Sequence, residues 1–248
     1  MGHLLSAAML LFVALTDAAI AQNSIYQATL SEVDQRTSEV STEQLRVILS
    51  ESSALVLDTR PRAEFVGGHI PTAHNIDGPA STSIAAVQSL VNGDKTKPLV
   101  LYCNGPFCQA SRRLADQLLD AGFTNVRRYQ LGMPIWRALG GPTEIELEGI
   151  VRIYAADKTA VYFDARSSDD FHKGSVPGAR NVPADTIPSG GVQKAPMPQD
   201  DFNTRIVLFG RDAAQARAMA DAFGKRPWHN ILYFSGSAES LIAALSKQ

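Results

Sequence analysis

The chain carries one sequence pattern twice, and this repeat constrains its fold more than any other feature. Residues 56–76, VLDTRPRAEFVGGHIPTAHNI, align without gaps on residues 162–182, YFDARSSDDFHKGSVPGARNV. Further along, LVLYC at 99–103 matches IVLFG at 206–210. The positions shared by the two long segments are Asp58/Asp164, Arg60/Arg166, Phe65/Phe171, Gly68/Gly174, Pro71/Pro177, Ala73/Ala179 and Asn75/Asn181. A long gapless repeat of this kind predicts two copies of one structural unit.

Each copy alternates short apolar runs with helical patterns. In the first copy, residues 54–58 and 99–102 are predicted to be buried strands, and residues 111–121 a helix that ends at Gly122. Uninterrupted apolar strands separated by helices indicate a mainly parallel sheet with helices on both faces, an α/β fold. We therefore expect two tandem domains. Their predicted bounds are 25–145 and 150–248, and the Pro- and Gly-rich segment 183–205 is expected to be an irregular surface connection.

The amino-terminal segment indicates where the protein works. Residues 4–15 form an apolar run interrupted only by Ser6, and the small-residue pattern Ala19-Ile20-Ala21 follows it. This pattern predicts a secretory signal peptide, residues 1–21, because the run is shorter than the ~20 residues that a membrane-spanning helix needs. We expect an exported, periplasmic protein without membrane insertion. The formal net charge of -2 and the scattered Lys and Arg exclude nucleic acid as a partner.

Three features together resemble the rhodanese-like family of sulfurtransferases in a tandem arrangement. They are the repeated segment, an apolar strand that runs into Cys103, and the sequence YQLGMPIW at 129–136. The resemblance implies two rhodanese-like domains and makes Cys103 the nucleophile that accepts sulfur. It also implies that one domain of such a pair is commonly inactive. The C-N-G-P-x-C loop at 103–108 is similar to that of a subset of exported members.

The position of Cys103 favours a reactive thiol. A cysteine that ends a parallel strand just before a helix lies where backbone N–H groups converge. We expect the helix start to lower the pKa of the thiol from its ordinary value of about 8.5. The candidate substrate-binding residues of the loop are Asn104, Gly105, Phe107 and Gln109. Gln109 also stands where a phosphatase loop would need an arginine, so phosphate chemistry is not predicted. The alternative is a buried cysteine that acts as a small hydrophobic residue.

Cys108 is the second candidate catalytic residue, and several roles are open for it. It could attack a persulfide or mixed disulfide on Cys103, which releases sulfur and leaves an intramolecular disulfide. A purely structural disulfide would close a very short loop and add only about 2 kcal/mol. Two thiolates could also hold Cu(I), although zinc would need further ligands. The remaining possibility is a cysteine without a role.

Other polar residues in the repeat have both structural and functional interpretations. Asp58 and Arg60 follow the first strand, at the sheet edge where ligands collect, so they could orient the substrate or pair with each other. Asp164 and Arg166 repeat the pair in a copy without cysteine, which favours the structural role. His69 is expected to be a hydrogen-bonded turn residue.

The second copy lacks a nucleophile, because Gly210 stands where Cys103 stands in the first. Trp136 is expected in the core of the first. We therefore predict an exported sulfurtransferase of the thiosulfate type, without cofactor or metal, that uses a Cys103 persulfide. Its partners would be a small sulfur-containing substrate and an exported thiol protein as acceptor or reductant. The competing hypothesis is a non-catalytic redox-relay or binding module that uses the Cys103–Cys108 pair.

Overall fold

Residues 35–246 of the protein are described by a computed structural model. The predicted signal peptide, residues 1–21, lies outside these residues. The described chain forms two five-stranded sheets in which the paired strands run parallel, one sheet from each copy of the repeat. This confirms the predicted α/β fold with two tandem parallel-sheet units.

The first unit contains the sheet β1-β5-β4-β2-β3 with β4 at its centre. Its elements in chain order are β1 (Ser38–Glu39), α1 (Thr42–Glu51), β2 (Leu55–Asp58), α2 (Arg62–Val66), β3 (His74–Asn75), α3 (Ala80–Leu90), β4 (Leu99–Tyr102), α4 (Ala110–Asp120), β5 (Val126–Tyr129) and α5 (Gly132–Ala138). Helix α1 begins with a capping box, in which the Ser41 side chain accepts from the Gln44 backbone N–H and the Gln44 side chain accepts from the Ser41 backbone N–H.

The second unit repeats this arrangement with the sheet order β6-β10-β9-β7-β8. Its elements are β6 (Thr143–Ile145), α6 (Leu147–Ala156), β7 (Val161–Asp164), α7 (Ser168–Lys173), β8 (Arg180–Asn181), α8 (Gly191–Lys194), β9 (Ile206–Gly210), α9 (Ala213–Phe223), β10 (Ile231–Ser237) and α10 (Ala238–Leu245). β9 occupies the place that β4 has in the first unit.

Both faces of each sheet are buried. In β4, Val100 packs in the cluster that contains Trp136, whereas its neighbour Leu101 packs in the cluster on the other face. Val207 and Leu208 of β9 divide between two clusters in the same way. Trp136 is 1% exposed, which confirms its predicted place in the core. Within residues 35–246, no helix is long and apolar enough to cross a membrane.

Two sequence-based expectations are corrected by the structure. Residues 143–145 lie inside the predicted first domain, but they form β6 and pair with β10 of the second sheet. Residues 183–205 are not wholly irregular, because they include a 3₁₀ helix at Ala184–Ser189 and the short helix α8. This segment is ordered by its own apolar residues, since Val192 and Met197 are buried in the core of the second unit.

Candidate active site

The two cysteines lie at the carboxyl end of the central strand of the first sheet. Cys103 directly follows β4, and residues 103–109 connect this strand to α4. β2 and β5 flank β4, so the loop lies at the edge of the sheet where parallel α/β proteins bind ligands. This is the position that the sequence predicted for Cys103, and the reactivity of its thiol stays a prediction.

The cysteines are joined by a disulfide, with their Cα atoms 6.1 Å apart. The structure therefore represents the oxidised protein, and the thiolate expected at Cys103 belongs to the reduced form. Cys103 is only 3% exposed, whereas Cys108 is partly exposed and Phe107 between them is 86% exposed. A reagent thus reaches Cys108 more readily than Cys103. Within residues 35–246, no group of three or more His, Cys, Asp and Glu side chains is placed to hold a metal ion.

The start of α5 contacts the cysteine loop, residues 103–109. The backbone N–H of Met133 donates to the Cys103 carbonyl at 3.1 Å, and the loop closes on itself where the Cys108 N–H donates to the Gly105 carbonyl. Gly132 has φ +65°, and a Cβ there would lie 2.3 Å from the Cys103 carbonyl oxygen. Only glycine permits this contact. Sequence analysis did not identify Gly132 as a site residue, although it lies within the YQLGMPIW segment.

Helix α4 begins at the loop without a side-chain cap. Its N-cap residue Gln109 makes no capping hydrogen bond through its side chain. The first backbone N–H groups of a helix have no partner within the helix and carry partial positive charge. This end of α4 therefore favours an anion in the loop, such as a thiolate or persulfide.

Asp58 and Arg60 form a buried ion pair rather than an exposed binding surface. The Arg60 Nη2 lies 2.5 Å from Asp58 Oδ2 and also donates to the Gly68 carbonyl at 2.8 Å. The Asp58 side chain is fully buried, so it cannot contact a substrate, which corrects the prediction of a binding role for this residue. Burial opposes the charge of Arg60, but its hydrogen bond and charge interaction with Asp58 outweigh burial and raise the pKa of Arg60. The pair holds the end of β2 beside the loop.

The second unit contains the corresponding ion pair, and its arginine binds the corresponding glycine carbonyl. Arg166 binds Asp164 at 2.7 Å and the Gly174 carbonyl at 2.7 Å. The amide of Asn181 donates to the carbonyls of Asp164 and Arg166, as that of Asn75 does in the first unit. Because this network is complete in a unit without cysteine, the repeated Asp, Arg and Asn are structural residues.

Asn104 connects the cysteine loop to a cavity of about 360 Å³. Its amide nitrogen donates to Glu64 Oε2 at 2.5 Å, and Arg60 Nη1 lies 3.9 Å from the same oxygen. Both units contribute to the cavity wall, which includes Arg60, Glu64, Asn104, Arg137, Arg205 and Asn230. Of the predicted substrate-binding residues, Asn104 and Arg60 are therefore brought together here. Gly105 is buried, and Phe107 and Gln109 are exposed outside this wall.

Tyr102 and His69 are buried and neutral. The Tyr102 hydroxyl donates to Asp58 Oδ2 at 2.5 Å, and burial raises its pKa well above its ordinary value. The His69 ring stacks on Phe65 with centroids 3.7 Å apart, and Nδ1 lies 2.9 Å from the Phe65 carbonyl oxygen. Burial lowers the pKa of His69. These contacts confirm that His69 is a hydrogen-bonded turn residue.

In the second unit, side chains of that unit occupy the space at the connection between β9 and α9. A Cβ at Gly210 would lie 2.7 Å from Gln215 Oε1, which accepts from the Arg211 backbone N–H. Asp212 caps α9 and accepts from the Gln215 backbone N–H at 2.9 Å. The amino-terminal end of α9 is thus capped by the Asp212 carboxylate, whereas the amino-terminal end of α4 has no side-chain cap.

Comparison with known proteins agrees with this architecture. The rhodanese-like domain family matches residues 41–139 and 152–244. An adenylyltransferase and sulfurtransferase of Candida albicans is 26% identical over 111 residues, 44% of this chain and 25% of that protein. An HTH-type transcriptional regulator of Mycobacterium tuberculosis is 34% identical over 89 residues, 36% of this chain and 37% of that protein.

The match thus spans about a quarter of one curated relative and about a third of the other. Among solved structures, the thiosulfate sulfurtransferase of Pseudomonas aeruginosa is 20% identical, with a TM-score of 0.39, over 85% of this chain and 43% of that one. Since the family model covers more than half of the sequence, in two copies that coincide with the two sheets, the chain belongs to the rhodanese-like domain family.

Proposed function

We propose that the protein is a sulfurtransferase in which Cys103 carries the transferred sulfur. The observation that carries this proposal is the position of Cys103, which directly follows the central strand of a rhodanese-like domain and precedes the uncapped start of α4. An anion at this position is stabilised by backbone N–H groups, so both the attacking thiolate and the persulfide product are favoured.

The first step uses the reduced protein. The Cys103 thiolate attacks the outer sulfur of thiosulfate, the new S–S bond forms, and the bond to the sulfonate sulfur breaks. Sulfite leaves with the bonding electron pair, and Cys103 holds a persulfide anion. With a persulfide donor the leaving group is the donor thiolate instead. The charges balance in both cases, and neither step needs a cofactor.

The second step can follow two routes. A small thiol or cyanide can attack the outer sulfur directly, which regenerates the Cys103 thiolate. Alternatively, the persulfide takes up a proton on its outer sulfur, the Cys108 thiolate attacks the inner sulfur, hydrosulfide leaves with the bonding electron pair, and the Cys103–Cys108 disulfide forms. The second route would leave the same Cys103–Cys108 disulfide that the structure contains, and this agreement supports Cys108 as a resolving residue.

The second route requires a thiol partner that reduces the disulfide, and we propose an exported dithiol protein. Its first thiolate would attack Cys108, the more exposed sulfur, and release Cys103 as a thiolate. Its second thiol would then resolve the mixed disulfide. Two electrons thus pass from the partner to the Cys103–Cys108 pair, and the partner is left with a disulfide. Phe107, which is 86% exposed between the cysteines, offers an apolar contact for such a partner.

We also propose that the protein is exported to the periplasm. Two observations support this location: the apolar run at 4–15 followed by Ala19-Ile20-Ala21, and the disulfide between the only two cysteines of the chain. Disulfides persist in oxidising compartments and are rare in the cytosol. Amino-terminal sequencing of protein from a periplasmic fraction tests it, and a retained Met1–Ala21 segment would contradict the cleavage.

The test of the catalytic proposal compares two serine variants in a thiosulfate-to-thiol transfer assay after full reduction. Cys103→Ser is expected to lose at least a thousandfold in rate, because no other nucleophile replaces a covalent carrier. Cys108→Ser, the matched control in the same loop, is expected to keep sulfur loading and to slow only the release. Equal rates for Cys103→Ser and the unmodified protein would remove the nucleophile from the proposal.

The disulfide also favours a second candidate, a redox relay or binding module without sulfur transfer. In that case the oxidised pair would exchange electrons with another exported protein, and neither cysteine would hold a persulfide. Turnover with small thiols distinguishes the two functions. A relay shows no sulfur release in the unmodified protein, whereas the transferase shows release that slows in Cys108→Ala.

A further inference from the structure

Arg137 in α5 is a partly buried cation without a counter-charge. Among residues 35–246, its guanidinium makes no ion pair or hydrogen bond, and its Nε is buried without a partner. Burying an unpaired charge is costly, so an arginine in this state is normally compensated by an anion. Arg137 lines the cavity that also contains Asn104.

Two further arginines face the same cavity and are already neutralised elsewhere. Arg60 is bound to Asp58, and Arg205 of the second unit forms an ion pair with Asp157. Glu64 is the one carboxylate that residues 35–246 contribute to the cavity wall; it accepts from Asn104 and lies near Arg60. Burial and the proximity of Arg60 and Arg205 lower the pKa of Arg137, as expected for a cation among cations. Arg137 is therefore the arginine of this wall that no carboxylate of residues 35–246 binds.

The cavity adjoins the cysteine loop at Asn104. Asn104, which directly follows the nucleophile in sequence, forms part of its wall, and its volume of about 360 Å³ accommodates a small molecule. Guanidinium groups bind oxyanions through two parallel hydrogen bonds, which orients the ligand as well as attracting it.

We propose that Arg137, together with Arg205 from the second unit, forms a subsite for the oxyanion end of the sulfur donor, a sulfonate or a carboxylate. This inference rests on the proposed transferase function for the identity of the donor. It gives the unit without cysteine a direct part in substrate recognition. Arg137 is here a specificity-determining residue, and it takes no part in the transfer of sulfur itself.

Binding without chemistry tests the subsite independently of transfer. The full chain carrying Cys103→Ser and Cys108→Ser is titrated calorimetrically with thiosulfate, sulfate and acetate, so that sulfonate-like and carboxylate anions are compared. Adding Arg137→Gln is expected to weaken binding of the preferred anion about tenfold, the loss of one charge-assisted hydrogen bond. Arg137→Lys is expected to retain part of the affinity. Arg152→Gln removes an exposed arginine that pairs with Glu148 in α6, and is expected to change nothing.

Kinetics with the active protein separate recognition from structural support. Arg137→Gln is expected to raise KM for thiosulfate about tenfold and leave kcat nearly unchanged. The kinetic constants for an uncharged organic persulfide are expected to stay the same. An equal loss with both donors, or unchanged anion affinity in a variant whose thermal melting is normal, would overturn the subsite. If anions bind in an Arg137-dependent manner but sulfur is never transferred, the proposed function fails and the anion site stands.

Discussion

The two units use the same strand-to-helix connection for different purposes. In the first unit, residues 103–109 separate β4 from α4, and the first turn of α4 has no side-chain cap. In the second, only residues 211–212 separate β9 from α9, and the carboxylate of Asp212 caps the helix. The repeated fold thus offers an anion position in both units. In the second unit the Asp212 side chain occupies that position, whereas in the first it has no side-chain cap, and we propose that a sulfur anion binds there.

The comparison also separates structural residues from functional ones. Asp58 and Asp164 accept the same arginine, but they differ in their third partner. The Tyr102 hydroxyl donates to Asp58, whereas Phe209 replaces that tyrosine in the second unit and the Ser175 hydroxyl donates to Asp164 instead. The buried carboxylate thus accepts a hydrogen bond from a different hydroxyl in each unit. This is expected for a group that supports the fold, because a buried polar group needs hydrogen-bond partners.

The largest expected effect on stability compares the two buried ion pairs, Asp58–Arg60 and Asp164–Arg166. Asp58→Ala is expected to lower the free energy of unfolding by about 3–5 kcal/mol, because it leaves Arg60 buried with only the longer ion pair to Glu64 at 3.9 Å. Asp164→Ala is expected to cost less, since Arg166 keeps Glu239 at 3.3 Å. Urea denaturation measures both values. A loss below about 1 kcal/mol at Asp58, the range of exposed ion pairs, would contradict its structural role.

The contact below the cysteine loop gives the next largest effect. Gly132→Ala is expected to cost about 3 kcal/mol, from a left-handed backbone and from overlap with the Cys103 carbonyl. Gly178→Ala in the second unit is the matched control. Its φ is +77° and nothing lies within 4 Å of a Cβ there, so it is expected to cost only about 1 kcal/mol. Similar losses in the two variants would show that the loop does not need the close contact.

The two helix starts predict a smaller difference. Asp212→Ala is expected to lower the free energy of unfolding by about 1 kcal/mol, because the cap of α9 is lost. Gln109→Ala, at the corresponding position of α4, is expected to change it by less than about 0.5 kcal/mol. Thermal melting compares them. A large loss at Gln109 would mean that its side chain closes the helix start and would weaken the contrast between the units.

The smallest effect concerns the pH dependence of stability. Burial lowers the pKa of His69 below its ordinary value of 6.5, and Ser175 takes its place in the second unit. As the pH falls below 6.5, the unfolded chain binds a proton at this residue more readily than the folded chain, so stability decreases. His69→Gln is expected to reduce the fall in melting temperature between about pH 7.5 and about pH 5.5. The exposed His172 provides the control, and an unchanged pH dependence in His69→Gln would contradict the assignment.

Local sequence patterns predicted the strands and the type of sheet, which depend on the order of apolar residues along the chain. The gapless repeat and the apolar runs at 54–58 and 99–102 indicated a parallel sheet, because side-chain burial on both faces requires that pattern. They also placed Cys103 at the end of a strand. The strand 143–145 was assigned to the wrong unit, since a segment of this length carries no signal for its pairing partner.

The rest of the site depends on contacts between distant residues. The approach of Gly132 to Cys103 brings together segments that only the folded sheet places side by side. The cavity unites Asn104 and Arg137 with Arg205 from the other unit, a proximity that no local spacing encodes. The pairing of the cysteines was one of several open alternatives, because spacing alone does not fix the redox state of two thiols.

The central claim is that Cys103 becomes a persulfide while the second unit remains unmodified. Intact-mass measurement of the reduced protein after thiosulfate treatment, followed by peptide mapping, tests it directly. We predict a gain of one sulfur atom on the peptide that contains Cys103, absent in Cys103→Ser and retained in Cys108→Ser. A protein that gains no sulfur and returns only to the Cys103–Cys108 disulfide would contradict the account.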